Sequence, residues 1–324
     1  MFGTEIAFLN TPLFAALYCL AAFCVTALAI PALRKVLPRD HGREYAFNGA
    51  LSEGKTRGAG IVFTLVFVVF AVAARGFKPE FLIYGALLLG EMLSGYLDDR
   101  SEKPWDEYKK GIIDLIFGLC VSLTFAHYNP ELLCLNFGAK VIGVNKWLFV
   151  ALATLFIWIM INAVNCSDGI DGLCGTLSIN TLVFYGALGA AFAGFGGDTV
   201  SLGLMIAVIG AYLLRNTEPS TVLMGDAGSR AIGMYLALMA LRLGNALFAI
   251  PLCLIFLVDG LAGIVKIACI RIFKFNPLKK VLTPVHDHLR KNKNRSGAQV
   301  RYIFNAVQVI ISVLFVALML WLRK

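Results

Sequence analysis

Charge is scarce in this chain. Asp, Glu, Lys and Arg make up 15% of its 324 residues, against about 25% in soluble domains. Hydrophobic residues reach 59%. That balance excludes an ordinary soluble domain and predicts a polytopic membrane protein. No CxxC pair occurs among the eight cysteines, so neither a zinc ribbon nor a disulfide framework is expected, and the thiols read as small buried hydrophobes. HExxH, a Gly-rich dinucleotide fingerprint and Ser-His-Asp spacing are missing too, which argues against a zincin, a nucleotide-dependent dehydrogenase and a serine hydrolase. The N-terminus has no basic stretch, and Glu5 precedes the first apolar run. No cleavable signal peptide is expected there. Internal repeats, low-complexity tracts and linkers are also missing, so residues 1–324 are expected to form one membrane domain.

What is present is a set of long apolar runs. Ten candidate spans cover roughly 8–33, 59–74, 81–97, 111–127, 147–161, 177–195, 200–214, 231–247, 248–270 and 302–322, most of them near the ~20 residues that cross a bilayer as a helix. The second is short, and the boundary between the eighth and ninth is weak. Asp259, Gly260, Gly263 and Lys266 inside the ninth predict a bent or broken helix facing protein or water. The expected fold is all-α, with about ten transmembrane helices.

The net charge of +9 does not require nucleic acid. The loops 34–58, 98–110, 162–176, 215–230 and 271–301 carry 21 of the 29 Lys and Arg residues. They are therefore expected on the cytoplasmic side, with both termini outside. This parity also gathers every polar constellation of the chain on one face, where an active-site cleft is expected.

The densest constellation is Asn162-Ala-Val-Asn165-Cys-Ser-Asp168-Gly-Ile-Asp171-Gly-Leu173. Two amides and two carboxylates stand at the mouth of two apolar segments, and Gly169 and Gly172 let backbone approach a ligand. Ionisable groups at membrane depth are costly and mark function by default. A plain capping turn needs fewer such groups.

Four further loops add chemistry. Asp98 and Asp99 end an apolar run, where the helix macrodipole disfavours two negative charges. Mg²⁺ or a nearby cation should offset them. Asp226 lies between Gly225 and Gly228 and reads either as a metal ligand or as a simple helix cap. Gly54-Lys55-Thr56-Arg57-Gly58 suits phosphate, or else a positive-inside anchor. Thr283-Pro284 reads as the N-cap and first position of a short helix carrying His286, Asp287 and His288. Residues i and i+2 of a helix diverge by ~200°, so the two histidines should not share a zinc ion. The basic run that follows also fits an interfacial helix against acidic lipid headgroups. Together these groups suit Mg²⁺-assisted chemistry on a phosphorylated substrate. A transporter is the alternative of another class, but its charges belong at the midplane between repeated halves.

Asn162-Ala-Val-Asn-x-x-Asp-Gly-x-Asp-Gly-Leu173, Asp98-Asp99, Gly225-Asp226-x-Gly-Ser229 and Thr-Pro-Val-His286-x-His288 resemble the motifs of the polyprenyl-phosphate N-acetylhexosamine-1-phosphate transferases. The resemblance covers the whole chain and lies nearest the branch that uses UDP-MurNAc-pentapeptide. It implies transfer of a phospho-sugar from a UDP-sugar to undecaprenyl phosphate with release of UMP, dependent on Mg²⁺, at the cytoplasmic face of the bacterial inner membrane. For that branch the product is lipid I, a peptidoglycan precursor. Membrane lipids and a second copy of the chain are further expected partners, and nucleic acid is not. With the residue readings above, Asp98, Asp99, Asp168 and His286 are expected to be catalytic. Lys55, Asn162, Asp171, Asn216 and His288 are expected to bind substrate, and Asn165 and Asp226 to hold the metal.

The chain departs from the family pattern in places. Asp287 replaces the middle one of three histidines, and Lys55-Thr56-Arg57 replaces Thr-Pro-Thr. Glu102 stands where a Lys is usual, Leu223 where a Phe is usual, and Arg230 where a Leu is usual. The metal and catalytic positions match. The departures bear on uracil stacking and sugar selectivity, so a GlcNAc-1-phosphate transferase is the alternative within the family.

Overall fold

The computed structural model describes residues 11–40, 42, 52–101, 103, 105–136, 141–193 and 198–323. Glu102 and residues 43–51 of the first basic loop lie outside them. Among the described residues the α-helices are α1 Pro12–Leu33, α2 Gly60–Ala74, α3 Pro79–Arg100, α4 Glu107–Tyr128, α5 Lys146–Cys166, α6 Leu173–Leu188, α7 Asp198–Asn216, α8 Gly225–Arg242, α9 Ala249–Leu252, α10 Leu254–Phe273, α11 Val285–Lys293 and α12 Gly297–Leu322. Their ends follow local chemistry. Asp106 accepts from the Lys109 N–H at 2.7 Å to start α4. Asn145 accepts from the Trp147 N–H at 3.0 Å to start α5. Ser296 and Gln299 form a capping box that starts α12. Pro284 stands at the N-cap of α11, one position earlier in the helix than expected.

Each of the ten expected spans falls on a helix, but fewer than ten pass as spans. Among the described residues seven helices are long and apolar enough to cross a membrane, or eight if the bent pair 246–252 and 254–273 counts as one. Of the other two, α2 has only 15 residues, and α8 carries Asp226, Arg230 and Arg242. The outer surface is apolar, with Leu28, Val69, Ile112, Leu155, Leu214 and Leu314 exposed. That surface suits lipid and would be untenable in water. The chain is a multi-pass membrane protein. An antiparallel hairpin, β1 Cys134–Asn136 with β2 Val141–Gly143, joins α4 to α5 and was not expected from the sequence.

The ninth span is broken, though not where its polar residues suggested. α10 is continuous through Asp259, Gly260, Gly263 and Lys266. The 92° bend lies between Leu252 and Leu254, just after Pro251, which cannot continue the ladder of N–H donors. Backbone groups freed inside lipid need partners. The buried Gln308 of α12 supplies two: its Oε1 accepts from the Ile255 N–H at 2.9 Å, and its Nε2 donates to the Pro251 carbonyl at 3.0 Å. Thr181 of α6 donates to the Leu252 carbonyl at 2.9 Å.

α8 is the axis of the bundle. Every one of its residues is buried, and it packs against α2, α3, α5 and α6. Close approach is possible because glycines face it. A Cβ on Gly95 of α3 would lie 2.5 Å from the Asp226 backbone, and one on Gly60 of α2 would overlap Gly228.

Polar networks close both ends. At one end Asp198 binds Arg75 at 2.5 Å and Arg242 at 2.8 Å, while Glu80 reaches Arg242 at 3.2 Å. A cavity of about 60 Å³ lies just inside this network, lined by Phe67, Tyr84, Leu88 and Leu238 among others. Arg75, Asp198 and Arg242 of the network also line it, already paired with one another, and none of the expected site residues reaches it. The five polar loops meet at the other end.

Candidate active site

The chain pairing that builds the site starts at Thr56. Its carbonyl accepts from the Leu223 N–H at 2.7 Å, and the Ala59 N–H donates to the Leu223 carbonyl at 3.1 Å. This aligns 55–60 beside 222–224 and brings Arg57 to the start of α8. Gly225, at φ 67°, turns the chain there. A side chain at Gly225 would strike Asp99, so the third carboxylate can come up beside the pair on α3.

Arg57 Nη2 lies 2.7 Å from Asp99 Oδ1 and 3.4 Å from Asp226 Oδ1, while its Nη1 is 2.8 Å from Asp40 Oδ1. Lys110 Nζ pairs with Asp98 Oδ2 and stands 3.4 Å from Asp226 Oδ2. The other Asp98 oxygen accepts from the Trp105 N–H at 2.7 Å. Burial opposes the Arg57 charge, but Asp99, Asp226 and Asp40 outweigh it and raise the pKa of the guanidinium above its usual value. The cation expected opposite Asp98 and Asp99 is therefore present twice, as Arg57 and Lys110.

Among the described residues no three His, Cys, Asp or Glu side chains form a ready-made metal cage. Mg²⁺ seldom uses one; one or two carboxylates plus substrate phosphates are its usual set. Asp98 and Asp226 both reach a single cationic point, the Lys110 ammonium. That convergence of hard oxygen donors fits Mg²⁺. Asn165 Nδ2 donates to Ser229 Oγ at 3.0 Å, one turn along α8 from Asp226.

The Asn162–Leu173 loop sits beside this cluster. Asp171 Oδ2 accepts from the Ser220 N–H at 3.0 Å and lies 3.4 Å from Lys55 Nζ, which also donates to Ser220 Oγ at 2.9 Å. Arg301 donates to the Asp171 carbonyl at 2.9 Å. Asp168 is half-buried on the same turn, its N–H donating to the Asn165 carbonyl at 3.2 Å. Asn216 and Asn162, both expected to bind substrate, hold other parts of the protein. The buried Asn216 accepts from the Gly172 N–H and donates to the Val222 carbonyl, both at 2.9 Å, and so ties the loop to the 217–224 segment. Asn162 donates to Asp114 Oδ2 at 3.1 Å and to the Trp158 carbonyl at 2.9 Å.

His286 and His288 point apart, as helical spacing requires. His288 Nδ1 accepts locally from the Leu282 N–H at 3.2 Å. His286 is 3% exposed, and its ring lies against Gly169, where a Cβ would overlap Nε2. Its Nδ1 is 2.7 Å from Asp259 Oδ2.

Beneath the site, Arg230 binds Glu91 at 2.9 Å and also pairs with Asp114. All three are at most 2% exposed. Lys110 is a site neighbour that sequence reading did not single out, while Arg57 was read only as part of a phosphate-type loop and Asp259 only as a mark of a bent helix. The unfavourable Asp pair on α3 called for a cation without saying which.

Residues 81–244 match glycosyl transferase family 4. The chain is 36% identical over 323 residues to a phospho-N-acetylmuramoyl-pentapeptide-transferase of Treponema pallidum (strain Nichols), covering 94% of this chain and 88% of that protein. Proteins of the same name from Fervidobacterium nodosum and Clostridium botulinum are 26% identical over 278 residues and 27% identical over 315. These matches cover 83% and 89% of this chain, and 84% and 90% of the relatives. The matched region contains the carboxylates of α3, the Asn/Asp loop and the Asp226 turn, and the chain belongs to glycosyl transferase family 4, among the phospho-N-acetylmuramoyl-pentapeptide-transferases.

Proposed function

We propose that this enzyme transfers phospho-MurNAc-pentapeptide from UDP-MurNAc-pentapeptide to undecaprenyl phosphate, giving lipid I and UMP. The polar end of the bundle then faces the cytoplasm, as the Lys and Arg bias of its loops supports. The observation that carries the reading is the convergence of Asp98, Asp99 and Asp226 on Arg57 and Lys110. Donor and acceptor are both anionic, and a site for them needs cations close to a carboxylate base.

An oxygen of the lipid phosphate attacks the sugar-linked phosphorus of the UDP-sugar. The bond from that phosphorus to the bridging oxygen breaks, and UMP departs with the electron pair. Asp98, at the lipid end of the loop, positions the acceptor phosphate and takes its proton if one is present. Arg57 and Lys110 screen the approaching charges, and Asp99 holds Arg57 in place. Lys55 and Asp171 bind the sugar-phosphate side, and His286 reaches the same loop at Gly169. Mg²⁺, held by Asp226 with Asn165 nearby, would neutralise charge on the diphosphate and favour departure of UMP.

The test is UMP release by the purified protein in detergent with undecaprenyl phosphate, using UDP-MurNAc-pentapeptide and UDP-GlcNAc side by side. Preference for the first is expected. Turnover of UDP-GlcNAc alone moves the enzyme to the other branch, and no UMP from either sinks the reading. Direct attack further requires that no label pass between UMP and the UDP-sugar when lipid is withheld. Such exchange would point to an Asp-linked intermediate.

A further inference from the structure

The carboxylate of Asp259 meets α11 twice. Oδ1 accepts from the His286 backbone N–H at 2.8 Å, and Oδ2 lies 2.7 Å from His286 Nδ1. Asp259 is 1% exposed and His286 3%, so water does not compete for either contact. The height of Asp259 is set by its neighbour. Gly260 packs against α5 so closely that a Cβ there would lie 2.6 Å from Ala163 Cα.

An ionised carboxylate only accepts hydrogen bonds. Both groups facing Asp259 must then carry hydrogen, and on the ring that places the proton on Nδ1. In the neutral imidazole Nε2 is left with its lone pair, and in the imidazolium Nε2–H is the donor still free for a new acceptor. Either way Nε2 is the working atom, and it is the atom pressed toward Gly169 in the Asn/Asp loop. On its near side stands Asp287, with Oδ1 at 3.8 Å, itself 3.7 Å from Arg290. A His that works through one nitrogen is commonly oriented by a carboxylate on the other.

We infer that Asp259 is a positioning residue: it fixes the His286 tautomer that presents Nε2 to the substrate. The inference rests on His286 belonging to the proposed site. The competing role is purely structural, since Oδ1 also caps an N-terminal amide of α11. Asp259→Asn separates the two. The amide carbonyl keeps the cap, but the amide NH₂ must donate to Nδ1, which moves the ring proton to Nε2.

The full-length protein is assayed in detergent with UDP-MurNAc-pentapeptide and undecaprenyl phosphate, beside the variants Asp259→Asn, Asp259→Glu and His286→Ala. In Asp259→Asn, kcat should fall on the order of 100-fold or more with KM for the nucleotide within about threefold, as when a tautomer is reversed. Asp259→Glu, still an acceptor, should recover most of the loss. A second readout needs no turnover. The imidazole lone pair attacks a carbonyl carbon of diethylpyrocarbonate and displaces ethyl carbonate, so the labelling rate at His286, read by peptide mass mapping, should fall about tenfold in the Asn variant and stay near parental in the Glu variant, following the displaced lone pair. Parental kcat and labelling in Asp259→Asn, with His286→Ala inactive, overturn the inference and leave the function standing. Equal loss of kcat in both Asp259 variants with unchanged labelling reduces Asp259 to a cap. A slowed label in the Glu variant overturns the inference even if the Asn variant does not fold. Full activity of His286→Ala removes His286 from the site and breaks the reading on which the inference rests.

Discussion

Arg230 Nε stands 2.9 Å from Glu91 Oε1, inside the bundle and one turn along α8 from Asp226. The pair is completed by Asp114, which in turn accepts from Asn162. Removing one member of a buried ionic cluster leaves the others uncompensated. Arg230→Leu alone should cost about 3–5 kcal/mol. Thermal unfolding in detergent measures this. Arg230→Leu combined with Glu91→Leu and Asp114→Asn should recover most of the loss, because the unpaired charge is then absent. A single variant as stable as the parent would show that the cluster contributes nothing.

Asp226 is separable from the fold. Its side chain meets Arg57 and Lys110, both of which have other carboxylates. Asp226→Asn should stay folded and lose at least about tenfold in turnover, with the deficit largest at limiting Mg²⁺. Titrating Mg²⁺ against rate is the check. An unchanged Mg²⁺ dependence removes Asp226 from the metal.

The two histidines should differ sharply. His288→Ala loses two local contacts, to the Leu282 N–H and to Asn292, and should keep activity within about tenfold, while His286→Ala should lose ~100-fold or more, as for a general acid–base or phosphate-binding group. The reverse order would place the working ring one position pair further along α11.

Gln308 tests the broken span. Gln308→Leu would leave the Ile255 N–H and the Pro251 carbonyl without the partners they now have. A loss of about 1–3 kcal/mol per orphaned group is expected. Urea or thermal unfolding of the variant in detergent would report it, and no change would mean the break is satisfied by other means.

Much of this was legible because lipid imposes it. Apolar runs of fixed length located the helices, and the Lys and Arg bias sorted the loops into the two ends later found. The Asp98–Asp99 pair announced a missing cation. Partner identity was not legible, because Arg57 and Asp99 or Asp259 and His286 lie far apart in sequence and meet only through helix packing. Asn216 carries a motif signal, yet its amide ties two backbone segments together. A polar side chain reads the same in sequence whether it meets backbone or ligand. Glycine is permissive, so sequence reading puts the bend of the ninth span near Gly260. There the glycine serves close packing on α5, and the break follows Pro251.

The complete burial of α8 has a consequence for motion. Charges clamp this helix at three heights: Arg57 and Lys110 at Asp226, Glu91 and Asp114 at Arg230, and Asp198 at Arg242. A rod pinned at both ends, and again one turn in from the first, neither slides nor tilts without breaking several contacts at once. Its amides should be the last in the chain to exchange with deuterated solvent, since local opening there approaches the cost of global unfolding. On the proposed function, Asp226 would stand on the stillest part of the molecule, and the movement that lets a long lipid tail arrive and leave would belong to the helices around it.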